Sequence, residues 1–370
     1  MISKGGAGMK FLVLSGILLL MGIGVLNELI SSDNGNQPEF ITEEFIEKWL
    51  KNENGTIATY ILENESEDED LVQGREALAE TVGLFMFYAL EKESQLLFNE
   101  FYTQLNDLFL EEDGFVHWKL NEDGVSDVSS NAFIDDLRIM DALLRANEKW
   151  EEEQYLETAE LIGGYLTIHN VNNGIYTDFY ERNDQYASDK IKLSYIDSKA
   201  MDSLVANELL DANIVEKTEG IINNVPLKNG FYPLFYNVKT DEYTFDETIN
   251  LLDQAILAYH LAQVGERSEE FLAFIKGEME ERDLVHGMYS IETKEPVVDY
   301  ESPAIYGYLI SYALILEEDE LAEAIYKRLK EFQERDWRND YYGGYSITDG
   351  NTHIFDNIIP LLAEIELLSQ

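Results

Sequence analysis

The sequence predicts an all-α fold, an (α/α)6 barrel of six helical hairpins, and three observations lead there. A glycine one or two residues ahead of an aromatic returns at Gly114, Gly174, Gly230, Gly287 and Gly344, with gaps of 60, 56, 57 and 57 residues. The stretches between these markers carry apolar residues at i, i+3, i+4 and i+7, the spacing of a helix with one buried face. Alternating β-branched runs are scarce, and proline occurs only 6 times in 370 residues. A fixed period of this length marks an array of one supersecondary unit.

Taken in order, the chain opens on a different material. Lys4 and Lys10 precede the apolar run "FLVLSGILLLMGIGVL" at 11–26, and polar "SSDNGNQPE" follows. A basic head, an apolar middle and a polar exit read as a secretory signal, with Ser31-Ser32 as the best cleavage point. Such a run is short of the ~20 residues a spanning helix wants; an uncleaved membrane anchor is the alternative. Residues 1–32 are therefore expected to be a signal peptide or anchor, and 38–370 the barrel. The barrel would then lie outside the cell, secreted or tethered to the outer face of its membrane. Without cysteine, a lipid anchor on a thiol is excluded.

Beyond that segment the helical pairs follow one another. "AFIDDLRIMDALLRANEKW" (132–150) precedes "EQYLETAELIGGYL" (153–166), "INLLDQAILAYHLAQVG" (249–265) precedes "SEEFLAFIKGEMEE" (268–281), and "AIYGYLISYALIL" (304–316) precedes "DELAEAIYKRLKEFQ" (319–333). An isolated hairpin cannot bury its apolar stripe, whereas stacked hairpins can. Residues 40–370 hold close to six periods of 57. Six such units can close into a ring. Open solenoids usually repeat every ~33–47 residues, which favours the closed form. The glycine-aromatic phrases would then gather at one end of the barrel, either as packing caps or as flat faces on which sugar rings stack.

Composition narrows the chemistry. There is no cysteine, so no disulfide framework and no thiolate nucleophile or ligand. The 5 histidines include no H-E-x-x-H pair, and no metal or cofactor is implied. With 73 acidic against 26 basic residues the net charge is −47. Such a surface repels nucleic acid and anionic lipid, so any contact with a membrane would be through the N-terminal segment. The expected ligand is neutral or cationic.

In so acidic a chain only carboxylates in apolar helical settings are informative. Glu80 lies in "EALAETVGLFMFYAL" (76–90), where burial would disfavour the ionised form and raise its pKa, as a general acid requires. The alternative is a glutamate on a wet helix face. Asp135 and Asp136 open a helix, where acids commonly cap and complement the dipole, with Arg138 and Asp141 one turn on. Asp246 and Glu247 precede the helix that carries Asp253. Asp253 shares a stripe with apolar neighbours, a costly position unless that stripe reaches a wet cleft. It is a candidate base for activating water; Asp246 is another, or the helix cap.

These segments, in this order, resemble glycoside hydrolase family 8. "ALAETVGLFMFYAL" is similar to the family's general-acid segment through Glu80, Gly83 and Met86, with Ala79 in place of its usual serine. "GFVHWKLNEDG" resembles the tryptophan segment, with Trp118 and Asp123. "NAFIDDLRIMDALL" resembles the Asp-x-Asp helix, with Asp136 on the second Asp and Ile134 on the first. "LSYIDSKAM" is similar to the Ser-Tyr-Phe-Asp-Pro stretch, giving Ser194, Tyr195 and Asp197. "FDETINLLDQ" lacks the arginine of the family's base segment, so the base is Asp246 or Asp253. The resemblance covers most of 40–370. It implies a secreted, monomeric, inverting enzyme that cuts a β-linked polysaccharide internally, of the branch linked with exopolysaccharides. Glu80 would be the acid and Asp253 or Asp246 the base. Asp136, Asp135 and Arg138 would hold the sugar, and Trp118, Tyr195 and Tyr232 would be platforms. The alternative is a polysaccharide-binding protein with dead chemistry on the same scaffold. Other barrel enzymes rely more on histidine.

Overall fold

Every inner helix begins at the same end of the molecule, and that arrangement builds the site. The computed structural model describes residues 40–63, 72–223 and 225–369; the expected signal or anchor at 1–32 lies outside them. Twelve α-helices alternate between two layers among the described residues. The outer layer comprises α1 (Ile41–Trp49), α3 (Gln95–Gln104), α5 (Glu153–His169), α7 (Ala212–Glu219), α9 (Glu269–Arg282) and α11 (Asp319–Leu329). The inner ring comprises α2 (Ala79–Glu91), α4 (Phe133–Trp150), α6 (Ser198–Ala206), α8 (Leu251–Gln263), α10 (Pro303–Ile315) and α12 (Phe355–Leu368). Each inner helix packs on the next, and α12 meets α2 to close the ring.

The layer of each helix follows from its sequence. Helix α10 is apolar all round and buries every residue from Pro303 to Leu314, because it is covered on both sides. Helix α11 is amphipathic and buries only Leu321, Ala322, Ile325, Tyr326 and Leu329. Starts are fixed by side chains that accept free backbone N–H groups: Asp197 from Ala200, Asp211 from Ile214 and Asn250 from Leu252. Asp246 is thus not the cap of α8; Asn250 is. Nor do Asp135 and Asp136 cap α4, whose N-cap Ala132 offers no side-chain acceptor. Gly307 lets α10 and α12 touch, since a Cβ there would stand 2.7 Å from Ile359 Cγ2 and 3.0 Å from its backbone.

The sixth hairpin is assembled from both ends of the described chain. Helix α1 packs on α12, and Thr42 Oγ1 donates to Gly343 O at 2.8 Å across 301 residues of sequence. After α1 comes Gly55, at φ +90°, followed by buried Ile57 where the other units have an aromatic.

The aromatics of the five phrases serve packing. Phe115, Tyr176, Tyr289 and Tyr345 are fully buried; Tyr176 stacks on Phe133 with centroids 5.1 Å apart, and the Tyr289 hydroxyl donates to Glu278 at 2.8 Å. Tyr232 is only 6% exposed and its hydroxyl is bonded to Ser268 between the layers, so its ring is not a platform at the cleft. Short antiparallel strands line the loops that feed the inner helices. The largest group joins Lys190–Lys192, Phe235–Asn237 and Glu242–Thr244, with Lys192 opposite Phe235 and Phe235 opposite Thr244.

Candidate active site

The start of α2 is set by a strand pair. Ala77 and Leu78 lie antiparallel to Lys119 and Leu120, and the amide of Ala79 donates to Trp118 O at 3.0 Å. Glu80 therefore projects from the first turn, beside half-buried Trp118, at the end where all inner helices begin. Its neighbour in the ring is the first turn of α4. Asp135 accepts from Arg138 Nη1 at 3.0 Å, and the same nitrogen lies 3.8 Å from Glu80 Oε1. Gly83 makes this possible: the Arg138 stem runs over it, so that a Cβ would meet Cγ and Cδ at 3.2 Å.

Electrostatics separates these groups. Burial raises the Glu80 carboxyl above the usual glutamate range, opposed by the charges of Arg138 and Lys192. Burial pushes Asp135 up to about 7, with the Glu80 charge adding to the shift and Arg138 opposing it. Two carboxyls sharing one guanidinium are reluctant to be ionised together.

A second group is linked to them through Lys192, whose charge acts on Glu80. Asp253, in the first turn of α8, accepts from Lys192 Nζ at 3.0 Å and Ser194 Oγ at 3.2 Å. Lys192 ends a strand, and a 3-10 turn over Leu193–Tyr195 follows it. Its ammonium stands 5.6 Å from the Tyr195 ring centre. The Tyr195 phenol is raised first by burial and then by the charges of Asp135, Asp178, Glu80 and Asp253, so the charges of four carboxyls reach one half-buried ring.

Asp178 and Lys192 escape sequence reasoning. Asp178 accepts the Lys192 amide at 2.6 Å, and burial pushes its carboxyl up to about 6. The available signals were the lysine directly before "LSY" and an aspartate two residues after the Tyr176 phrase. Other expected residues lie elsewhere. Asp136 is 1% exposed and accepts from Asn131 Nδ2 at 2.6 Å, while Asn131 also donates to Asn170 at the end of outer helix α5. One step round the helix from Asp135, it is turned into the layer interface. Asp246 is exposed on the loop between strands Glu242–Thr244 and Thr248–Asn250.

The arrangement offers a carboxyl whose protonated form burial favours, a second carboxyl held by an ammonium and a hydroxyl, and aromatic faces at an open mouth. Those are the parts of acid- and base-assisted cleavage of a glycosidic bond.

Comparison with known proteins agrees. The sequence model described as glycosyl hydrolases family 8 matches residues 66–177. A relative in Bacillus subtilis (strain 168), named "Putative lipoprotein YdaJ", is 35% identical over 373 residues, covering 98% of this chain and 99% of that one. The structure of a protein described as a novel alpha-amylase from Clostridium perfringens superposes with a TM-score of 0.79 at 26% identity, over 88% of this chain and 96% of that one. PssZ from Listeria monocytogenes shares the fold, with a TM-score of 0.71 at 23% identity over 90% and 96% of the two chains. Likeness to one relative runs the length of the chain, and the matched family segment contains both Glu80 and Asp135. The chain therefore belongs to the glycosyl hydrolases of family 8 and is a glycosidase.

Proposed function

We propose that the protein cleaves an extracellular polysaccharide internally, with inversion, using Glu80 as acid and Asp253 as base. The observation that carries the reading is the contrast between two carboxyls in one cleft. Burial favours the protonated form of Glu80, while Lys192 and Ser194 hold Asp253 by contacts made to a carboxylate. In the reaction Glu80 gives its proton to the glycosidic oxygen as the bond to the anomeric carbon breaks. Water attacks that carbon from the opposite face and loses a proton to Asp253. Exchange of one proton each with solvent restores both groups. Inversion of this kind requires carboxyls ~6.5–9.5 Å apart, room for the water. Asp135 and Arg138 hold the sugar at the break, and Trp118 and Tyr195 carry its neighbours. Asp246, exposed on its loop, stays the second candidate for the base.

The net charge of −47 favours a neutral or amino sugar polymer over a polyanion. A β-linked exopolysaccharide is the first substrate class. The second is an α-linked glucan, favoured by the likeness to the Clostridium perfringens alpha-amylase. Location outside the membrane fits the name of the Bacillus subtilis relative. With no cysteine in the chain, the proposed tether is the apolar segment 11–26 itself. The test is reducing-end release from a panel of α- and β-linked polysaccharides, with proton NMR of the first product. The expected result is turnover of a β-linked polymer with an inverted anomer; a retained anomer, or turnover of α-glucans alone, contradicts the corresponding part.

A further inference from the structure

Beneath the acid cluster the inner ring encloses a second space. A cavity of about 120 Å³ follows the barrel axis, and its lining includes none of Glu80, Asp135, Lys192, Tyr195 or Asp253. Its wall changes along its length. Toward the catalytic end stand Arg138 and Tyr308, each in the second turn of its helix, with the Arg138 side chain only 10% exposed; His260, 7% exposed in its side chain, lies in the last turn of α8. At the other end stand exposed Glu91, partly exposed Gln263 and Glu366, and Arg145 at 37%. The cavity therefore opens where the inner helices finish, on the face opposite the active site. Arg138 is the partition, with its guanidinium committed to Asp135 on the far side.

The charge of this space is unbalanced. Asp141 takes up Arg145 at 2.6 Å, and Asp135 takes up Arg138 at 3.0 Å. Both guanidiniums also act on Asp197, and Lys199 acts on Glu366, but the four carboxyls Glu91, Asp141, Asp197 and Glu366 outnumber the two arginines of the wall. Burial lowers the pKa of His260, opposed by the charge of Asp197, and so disfavours a positive charge on the ring. The converging C-terminal ends of the inner helices add partial negative charge at the mouth. Two polar atoms of the wall, His260 Nδ1 and Gln263 Oε1, are buried without a hydrogen-bond partner. Ser311, Tyr259 and Phe87 add hydroxyls and ring faces, and the rest of the wall is mostly aliphatic, with Leu84, Leu137, Ile359 and Leu362. Carboxylates in excess, acceptors lacking donors and ring faces together suit an ammonium group on a short organic stem. At ~30 Å³ of liquid volume per water the space holds about four waters, which limits the ligand to a short chain of roughly six non-hydrogen atoms.

We propose that this axial cavity is a binding site for a small organic amine, separate from the glycosidase cleft and entered from the opposite end of the barrel. The site is independent of which polysaccharide the enzyme cuts. The test is thermal unfolding of the full chain at pH ~8 against putrescine, with glucose and matched sodium chloride as controls. Putrescine should give a saturable rise of roughly 2–4 °C. In Glu366→Gln the half-saturating concentration should increase about tenfold. Gln263→Leu should weaken the response as well, and serves if the first variant unfolds early. Equal rises with sodium chloride would mean that the amine only screens surface charge, and the proposal fails. An unchanged response in both variants overturns it too, and an equal rise with glucose overturns the amine as the ligand class.

Discussion

At the scale of single residues, the proposed reaction turns on Glu80 and its two cationic neighbours. Glu80→Gln removes the transferable proton and should lower turnover at least 10²-fold, on the order expected for a general acid. Because burial disfavours the charge it removes, the unfolding midpoint should stay at or above the wild-type value. Arg138 lowers the Glu80 pKa. In Arg138→Met that pKa rises, so the alkaline limb of kcat/KM, where the acid loses its proton, should move up by about one pH unit. A limb that stays put or moves down would mean that Glu80 is not the titrating acid. The neighbouring pair Asp135 and Asp136 shows where sequence reading stops. Both lie in the same apolar context, and the resemblance selects Asp136. Adjacent helical residues point about 100° apart, and only the packing of Asn131 and Asn170 shows that Asp136 belongs to the layer interface.

At the scale of elements, helical periodicity placed the layers closely. The expected helix at 132–150 is Phe133–Trp150, and the one at 153–166 is Glu153–His169. The closing hairpin was not legible, since its halves α1 and α12 stand at opposite ends of the chain and its glycine phrase has Ile57 for an aromatic. Nor were the contributions of Lys192 and Asp178, which come from a short strand and a loop with no period of their own. Close helix contacts give a test of the ring. Gly307→Ala puts a methyl against the Ile359 backbone and should cost about 1–3 kcal/mol, read from urea unfolding. Gly83→Ala crowds the side chains of Arg138 and Ile139 rather than a backbone. It should cost less stability than Gly307→Ala but lower kcat more, by disturbing the pair with Asp135.

At the scale of the whole molecule, the buried carboxyls make stability depend on pH in an uncommon direction. Asp135 at about 7 and Asp178 at about 6 both lie above the ordinary aspartate value of 3.8. Burial also raises Asp136, Asp141 and Glu366. A carboxyl with a raised folded-state pKa binds its proton more tightly when folded, so stability falls as pH rises from about 4 toward 7. Ion-paired Glu301 is shifted the other way, and its contribution is lost as pH falls through its lowered value. The unfolding midpoint should therefore peak near pH ~5 and be lower at pH ~8. A midpoint that climbs steadily from pH ~5 to ~8 would show that the buried acids are not protonated in the fold.

The central claim is that Glu80 and Asp253 face each other as acid and base, and one comparison of rates tests it most directly: reducing-end release by Glu80→Gln, Asp253→Asn and Asp246→Asn on the polysaccharide the wild type turns over. The account predicts that the first two lose nearly all activity while the third stays close to wild type. Loss in Asp246→Asn with activity kept in Asp253→Asn would contradict it.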